Sequence, residues 1–251
     1  MKKHYLLTDL KRLVKGYELY VSIIGVAASL IFSLENEGFT NNCVVSTYLM
    51  ATEMSGVMIA YVFCAFPFAT VFCDDLENGY ARYQVIRGNF TKYVLSKVSI
   101  IYVTSIITMI LGTILFLAVY KTQGPWIDWE SGSIQVTMAG AYSGLITGGH
   151  FFLYCVLYAL QLGLLAGILS AFAAFLSLYI TNKVTVLVLP VLVYQILLEY
   201  AGSGKFNIFI FRAYAKPFQQ DWQCFLFVFM LSFIFVSGFT FGIYRKLKTK
   251  L

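Results

Sequence analysis

The sequence predicts an all-α, polytopic membrane protein: six transmembrane helices behind an amphipathic in-plane N-terminal helix, with both termini cytoplasmic. Three observations lead there. Hydrophobic residues make up 59% of the 251 residues and charged residues only 12%, against roughly 45–50% and 25% in soluble domains. Six apolar runs, at 17–34, 54–73, 97–119, 151–180, 184–200 and 223–243, each approach the roughly 20 residues that a bilayer requires. The lysines and arginines between those runs are divided very unequally, which sets orientation. The mean hydropathy is +0.77, and a chain of this length that holds six spans has no room for a sizeable soluble domain, so residues 1–251 form one transmembrane domain.

In chain order, residues 1–16 form an interfacial arm. Leu6, Leu10, Leu13, Val14 and Tyr17 fall on one helical face and Lys11, Arg12 and Lys15 on another, the pattern of a helix lying in the membrane interface. A signal-peptide n-region has a similar look, but the apolar run that follows is long for an h-region, and an uncleaved first span is the expectation. Pro67 and Pro190 lie inside the second and fifth spans and are expected to kink them. The fourth span carries Ala159, Gly163, Gly167 and Ala171 at four-residue spacing, and the sixth carries Gly238 and Gly242. Such small-residue faces let helices approach closely, within one subunit or between two.

Of the 18 Lys and Arg residues, fourteen fall on the side that holds the N-terminal arm, the segment between spans two and three, Lys183 and the C-terminal tail. The other side holds only Lys121, Lys205, Arg212 and Lys216. That bias places the termini and residues 74–96 in the cytoplasm, and a net charge of +6 in patches of this kind reflects membrane orientation rather than a nucleic-acid surface. On the outer side, residues 201–222 fit a re-entrant dip and an interfacial loop equally well. The five cysteines show no metal-binding spacing; they suit small buried hydrophobes, and a Cys43–Cys224 disulfide is conceivable.

Several chemistries lack their residues. Gly202-Ser-Gly-Lys205 is followed by Phe206 and completes no phosphate-binding loop, so no ATPase of that kind is expected in this chain. With two histidines and no Gly-x-Ser-x-Gly elbow, no catalytic, cofactor or metal residue stands out. Acidic and basic residues fall near the ends of the apolar runs, whereas ion-driven transporters place an ionisable group or a broken helix near the midplane. Any uphill transport is therefore expected to draw its energy from another chain.

The longest polar interruption, Phe72 to Lys97, holds Asp74, Asp75 and Glu77, then Gly79, a helical pattern from Tyr80 to Arg87, and Gly88-Asn89 as a stop. Leu76, Tyr80, Tyr83 and Ile86 repeat at three and four residues, giving the segment an apolar face that a lone subunit cannot bury. Phe72, the acids Asp74, Asp75 and Glu77, Gly79, Arg87-Gly88, Lys92-Tyr93 and Lys97 resemble the signature of type 2 ABC transporter permeases, and the six spans and N-terminal arm resemble that family's layout. The resemblance implies a dimer, with a second copy or a paralogue, carrying two ATPase subunits that bind ATP and Mg on the cytoplasmic side. It makes 74–96 the coupling loop, with Leu76, Glu77, Gly79, Tyr80, Tyr83, Ile86 and Arg87 as ATPase-binding residues. The short chain and its many Phe and Tyr residues resemble exporters of antimicrobial or cytolytic peptides in the bacterial plasma membrane. Aromatic, uncharged spans suit a hydrophobic or amphipathic peptide cargo and suit membrane lipid equally. A lipid or small-drug permease, and a non-transporting scaffold or sensor subunit, remain open alternatives.

Overall fold

The computed structural model describes residues 5–36, 43–80, 89–128, 140–201 and 220–250. These residues form helices and no strand: α1 (Tyr5–Lys15), α2 (Glu18–Asn36), α3 (Val44–Glu53), α4 (Gly56–Ala65), α5 (Val71–Glu77), α6 (Phe90–Lys121), α7 (Ser143–Thr147), α8 (Phe151–Leu176), α9 (Lys183–Ala201) and α10 (Asp221–Lys250). Of these, α2, α6, α8 and α10 are long and apolar enough to cross a membrane, and a fifth crossing exists if the bent pair α3–α4 is taken as one. At 32 residues, α6 is about 48 Å long and overshoots the roughly 30 Å hydrocarbon core.

Helix starts follow local chemistry. Asn89 accepts hydrogen bonds from the amides of Thr91 (3.0 Å) and Lys92 (3.4 Å), and Asn182 does the same for Val184 (3.0 Å) and Thr185 (3.4 Å). Each side chain satisfies amides that have no partner within the helix. Asn89 is therefore the N-cap of α6, and the helix that it was expected to stop lies, beyond Tyr80, outside the described residues.

The helices depart from the expected layout in three places. The second span is not one helix over 54–73: α4 ends at Ala65, residues 66–70 turn around Pro67, and the chain resumes as α5. Proline lacks an amide and clashes with the preceding turn, and here the helix breaks instead of kinking. Pro190, by contrast, is contained within a continuous α9. α6 begins at Phe90, seven residues before the expected third span, so part of the expected loop 74–96 is helical, in α5 and at the start of α6. Finally, α3 occupies a stretch for which no element was expected. It meets α4 at 79°, and its first amides, Val44 and Val45, bond to the carbonyls of Pro125 (3.0 Å) and Trp126 (3.1 Å).

α6 and α8 are the central pair; α2 packs against α4 and α6, and α9 and α10 flank α8. The small-residue stripe on α8 explains the close approach. A Cβ on Gly163 would sit 3.1 Å from the Ile106 Cα, and one on Gly167 would sit 2.5 Å from the Tyr102 ring. The stripe is thus used inside the subunit. A Cβ on Gly242 would sit 3.0 Å from the Phe175 ring, whereas Gly238 faces open space. Two hydroxyl pairs link these helices: Ser105 Oγ donates to Ser170 Oγ at 2.8 Å, and Tyr102 and Ser232 share a 2.6 Å bond. Cys43 and Cys224 are both free thiols, so the conceivable disulfide is not formed. The segment 202–219, which contains most of the expected re-entrant dip, lies outside the described residues.

The described helices sort their ends. One end gathers α1, α5, the start of α6, the end of α8, the start of α9 and the end of α10. Lys183 meets Asp74 there, Lys250 donates to the Leu178 carbonyl, and Lys246 lies 4.6 Å over the Tyr179 ring. The opposite end gathers the starts of α3 and α8 and the end of α6, with Lys121 5.2 Å over the Trp126 ring and Trp126 6.5 Å from the Phe152 ring.

Candidate functional site: a buried ion cluster at the basic end

The chain brings six ionic side chains and a tyrosine together around α5. Its first residues anchor it: Val71 and Phe72 are buried in an apolar cluster with Tyr93, Val94, Val98, Leu178 and Leu247, and the Phe72 and Tyr93 rings meet edge to face at 6.4 Å. That packing faces Asp75 towards α6. Asp75 is 3% exposed and Lys97 is 1% exposed. The Lys97 ammonium lies 3.2 Å from Asp75 Oδ2 and donates to Asp9 Oδ1 of α1 at 3.0 Å. The Tyr93 hydroxyl, one turn earlier on α6, donates to Asp75 Oδ2 at 2.6 Å. Phe68, with its centroid 5.3 Å from the ammonium, closes the cage by a cation–π contact.

Two further cations meet α5 nearer solvent. Arg12 of α1 lies 3.9 Å from Asp75 and 4.0 Å from Asp74. Lys183, at the start of α9, donates to Asp74 Oδ1 at 2.5 Å. That bond and the Asp74 charge raise the Lys183 pKa above its ordinary value. Burial raises the Asp9 carboxyl, and the Lys97 charge offsets this only in part.

The arrangement is a clamp. A buried ammonium between two carboxylates is costly to desolvate, and its members persist only because each satisfies the others. It ties three elements distant in sequence (α1, α5 and α6), and Asp74 extends the tie to α9. Ion pairs of 2.5–4.0 Å thus hold α5 to three other helices, α1, α6 and α9. Among the described residues, no three His, Cys, Asp or Glu side chains are placed to hold a metal.

The residues expected to face a partner divide. Leu76 packs partly buried against the apolar cluster of α5, α6, α8 and α10. Glu77 is exposed. Gly79 takes φ +66, a left-handed conformation that glycine adopts without a Cβ penalty, and α5 ends just before it at Asn78. This overturns a single helix from Leu76 to Arg87: Leu76 faces inward, while Tyr80, beyond the break, is 42% exposed. Tyr83, Ile86 and Arg87 lie outside the described residues. The pattern of threes and fours could not register a break at Asn78-Gly79, although the Gly was its visible sign. The partners of Lys97 were also missed. The available signal was Tyr93 and Lys97 at i and i+4 on an apolar stretch that continues back to Phe90.

No protein-family model, curated protein or solved structure matches the chain.

Proposed function

We propose that the chain is the membrane-spanning permease subunit of a type 2 ABC exporter. In this reading it moves a hydrophobic or amphipathic peptide out of a bacterial cell, powered by two ATPase subunits that bind ATP and Mg. α9, with 19 residues, and the broken segment α4–α5 complete six crossings, and the basic end faces the cytoplasm. The functional unit pairs this chain with a second copy or a paralogue.

The ion cluster is the observation that carries the reading. A chain without its own ATPase motif must receive force at a cytoplasmic surface and pass it on to its spans. α5 supports that role: its root is locked to α1, α6 and α9, and its tip, Glu77 to Tyr80, emerges at the basic end and leads into the segment 81–88. The N-terminal arm joins the same unit through Asp9 and Arg12, while Leu10 and Val14 stay exposed, as suits a helix resting in the interface.

The test is the double variant Tyr83→Asp/Ile86→Asp. It places two charges on the docking segment, and each desolvated charge costs several kcal/mol. Membrane insertion should survive, and copurification of the ATPase subunit and peptide export should both be lost. Normal association together with normal export would refute the docking role.

A further inference from the structure

Away from the ion cluster, α6 and α10 diverge and leave a groove of about 630 Å³ between them. Val94 and Val98 of α6 and Val236 and Thr240 of α10 line its floor, while Leu95 and Val103 face Phe233 and Phe241 across its exposed lips. Contacts between the same two helices mark its two ends, and it stays open along its lips. The Tyr102–Ser232 hydrogen bond of 2.6 Å lies at the deep end, and the Phe90 and Tyr244 rings, 4.9 Å apart, meet at the basic end.

We propose that this groove holds one acyl chain of an anionic phospholipid, with the lipid phosphate on Lys92, Arg245 and Lys248. Its length suits one leaflet. From Thr91 to Val103 the groove runs about 18 Å along α6, close to the roughly 15 Å depth of one leaflet's hydrocarbon. The charges at its mouth select the headgroup. Lys92 lies three and seven residues before the lining positions Leu95 and Ser99, and Lys248 lies four and seven after Tyr244 and Phe241, so both continue the groove's faces. Arg245 lies four residues after the lip residue Phe241. All three are exposed, and among the described residues none forms an ion pair. Basic pockets between spans are sites for anionic headgroups. The inference needs α6 and α10 to cross the membrane; it does not need an ATPase partner.

The test reconstitutes the full chain in nanodiscs containing phosphatidylglycerol or phosphatidylcholine. A photoactivatable phosphatidylglycerol, labelled in its acyl chain, should cross-link to residues 94–103 and 233–244, and unlabelled phosphatidylglycerol should compete at least tenfold better than phosphatidylcholine. Replacing Lys92, Arg245 and Lys248 by Gln should weaken that competition about fivefold per charge, while Ser237→Trp, which fills the groove from an exposed position, should abolish the cross-link. Leu226→Trp, on exposed α10 surface outside the groove, should leave it unchanged, and unaltered elution and circular dichroism should confirm that each variant is folded. Labelling spread evenly over all exposed apolar faces, equal competition by the two lipids, or cross-links between two protein copies along this face would each overturn the proposal. Loss of ATPase association would bear on the transport reading and leave this one intact.

Discussion

Lys97→Met keeps the length of the side chain and removes its charge. Asp75 would then be a carboxylate that is 3% exposed, whose nearest remaining cation is Arg12 at 3.9 Å, and Asp9 would lose its 3.0 Å partner. Breaking a buried ion pair from one side costs about 3–5 kcal/mol, because the charge left behind stays desolvated. In a chain of this size each kcal/mol moves the melting temperature by about 2–4 °C, so a fall of roughly 6–20 °C is expected. Adding Asp75→Asn should recover part of that loss, since the orphaned charge disappears and Tyr93 can still donate to the amide oxygen. Thermal unfolding in nanodiscs, followed by near-ultraviolet circular dichroism, gives both numbers. A single variant melting within 2 °C of the parent, or a double variant that loses the full sum of both single losses, would refute a buried, mutually satisfied cluster.

Three other outcomes follow from the same geometry. Gly167→Leu forces side-chain atoms into the Tyr102 ring, 2.5 Å from the position of a Cβ, and should cost about 1–3 kcal/mol. Gly238→Ala, into open space, should instead stabilise by about 0.5–1 kcal/mol in denaturant titrations. Burial raises the Asp9 carboxyl above its ordinary 3.8, so the folded state favours the protonated form. The stability tied to Asp9 is complete below the unfolded value and is lost as pH rises through the raised folded value. Asp9→Asn removes that loss, and its melting temperature relative to the parent should climb over this window; a relative fall with rising pH would contradict the sign. For topology, cysteines placed at Gly132 and Ser203 should be labelled from outside intact cells and one at Asn89 should not, and reversed accessibility would invert the orientation drawn from the charge bias.

Long apolar helices were easy to read from composition, because burial in lipid demands an unbroken apolar run. α2, α8 and α9 lie within about four residues of the apolar runs read from the sequence, and α10 runs seven residues past its own. The departures have physical causes. α3 is only ten residues long and includes Ser46, Thr47 and Thr52, and its start is satisfied by carbonyls some 80 residues away, so no local signal marks it. The early start of α6 was hidden by Thr91, Lys92 and Lys97, which resemble a loop when counted as polar residues. Lys97 is inside because Asp9, 88 residues distant, and Asp75 neutralise it. Pairings at that separation leave no periodicity to detect. The stripe on α8 was visible, but whether it faced α6 or another subunit depended on where Tyr102 and Ile106 came to lie.

The central claim is that force enters this chain at the α5 tip and drives export. Proteoliposomes containing this chain and the proposed ATPase partner, loaded with a fluorescent amphipathic peptide, test it most directly. ATP hydrolysis should rise with peptide, and the peptide should move from the cytoplasmic to the outer face only when ATP is present. Lys97→Met should uncouple the two, leaving hydrolysis but slowing transport at least tenfold. Peptide movement independent of ATP, or hydrolysis and transport both unchanged in that variant, would contradict the account.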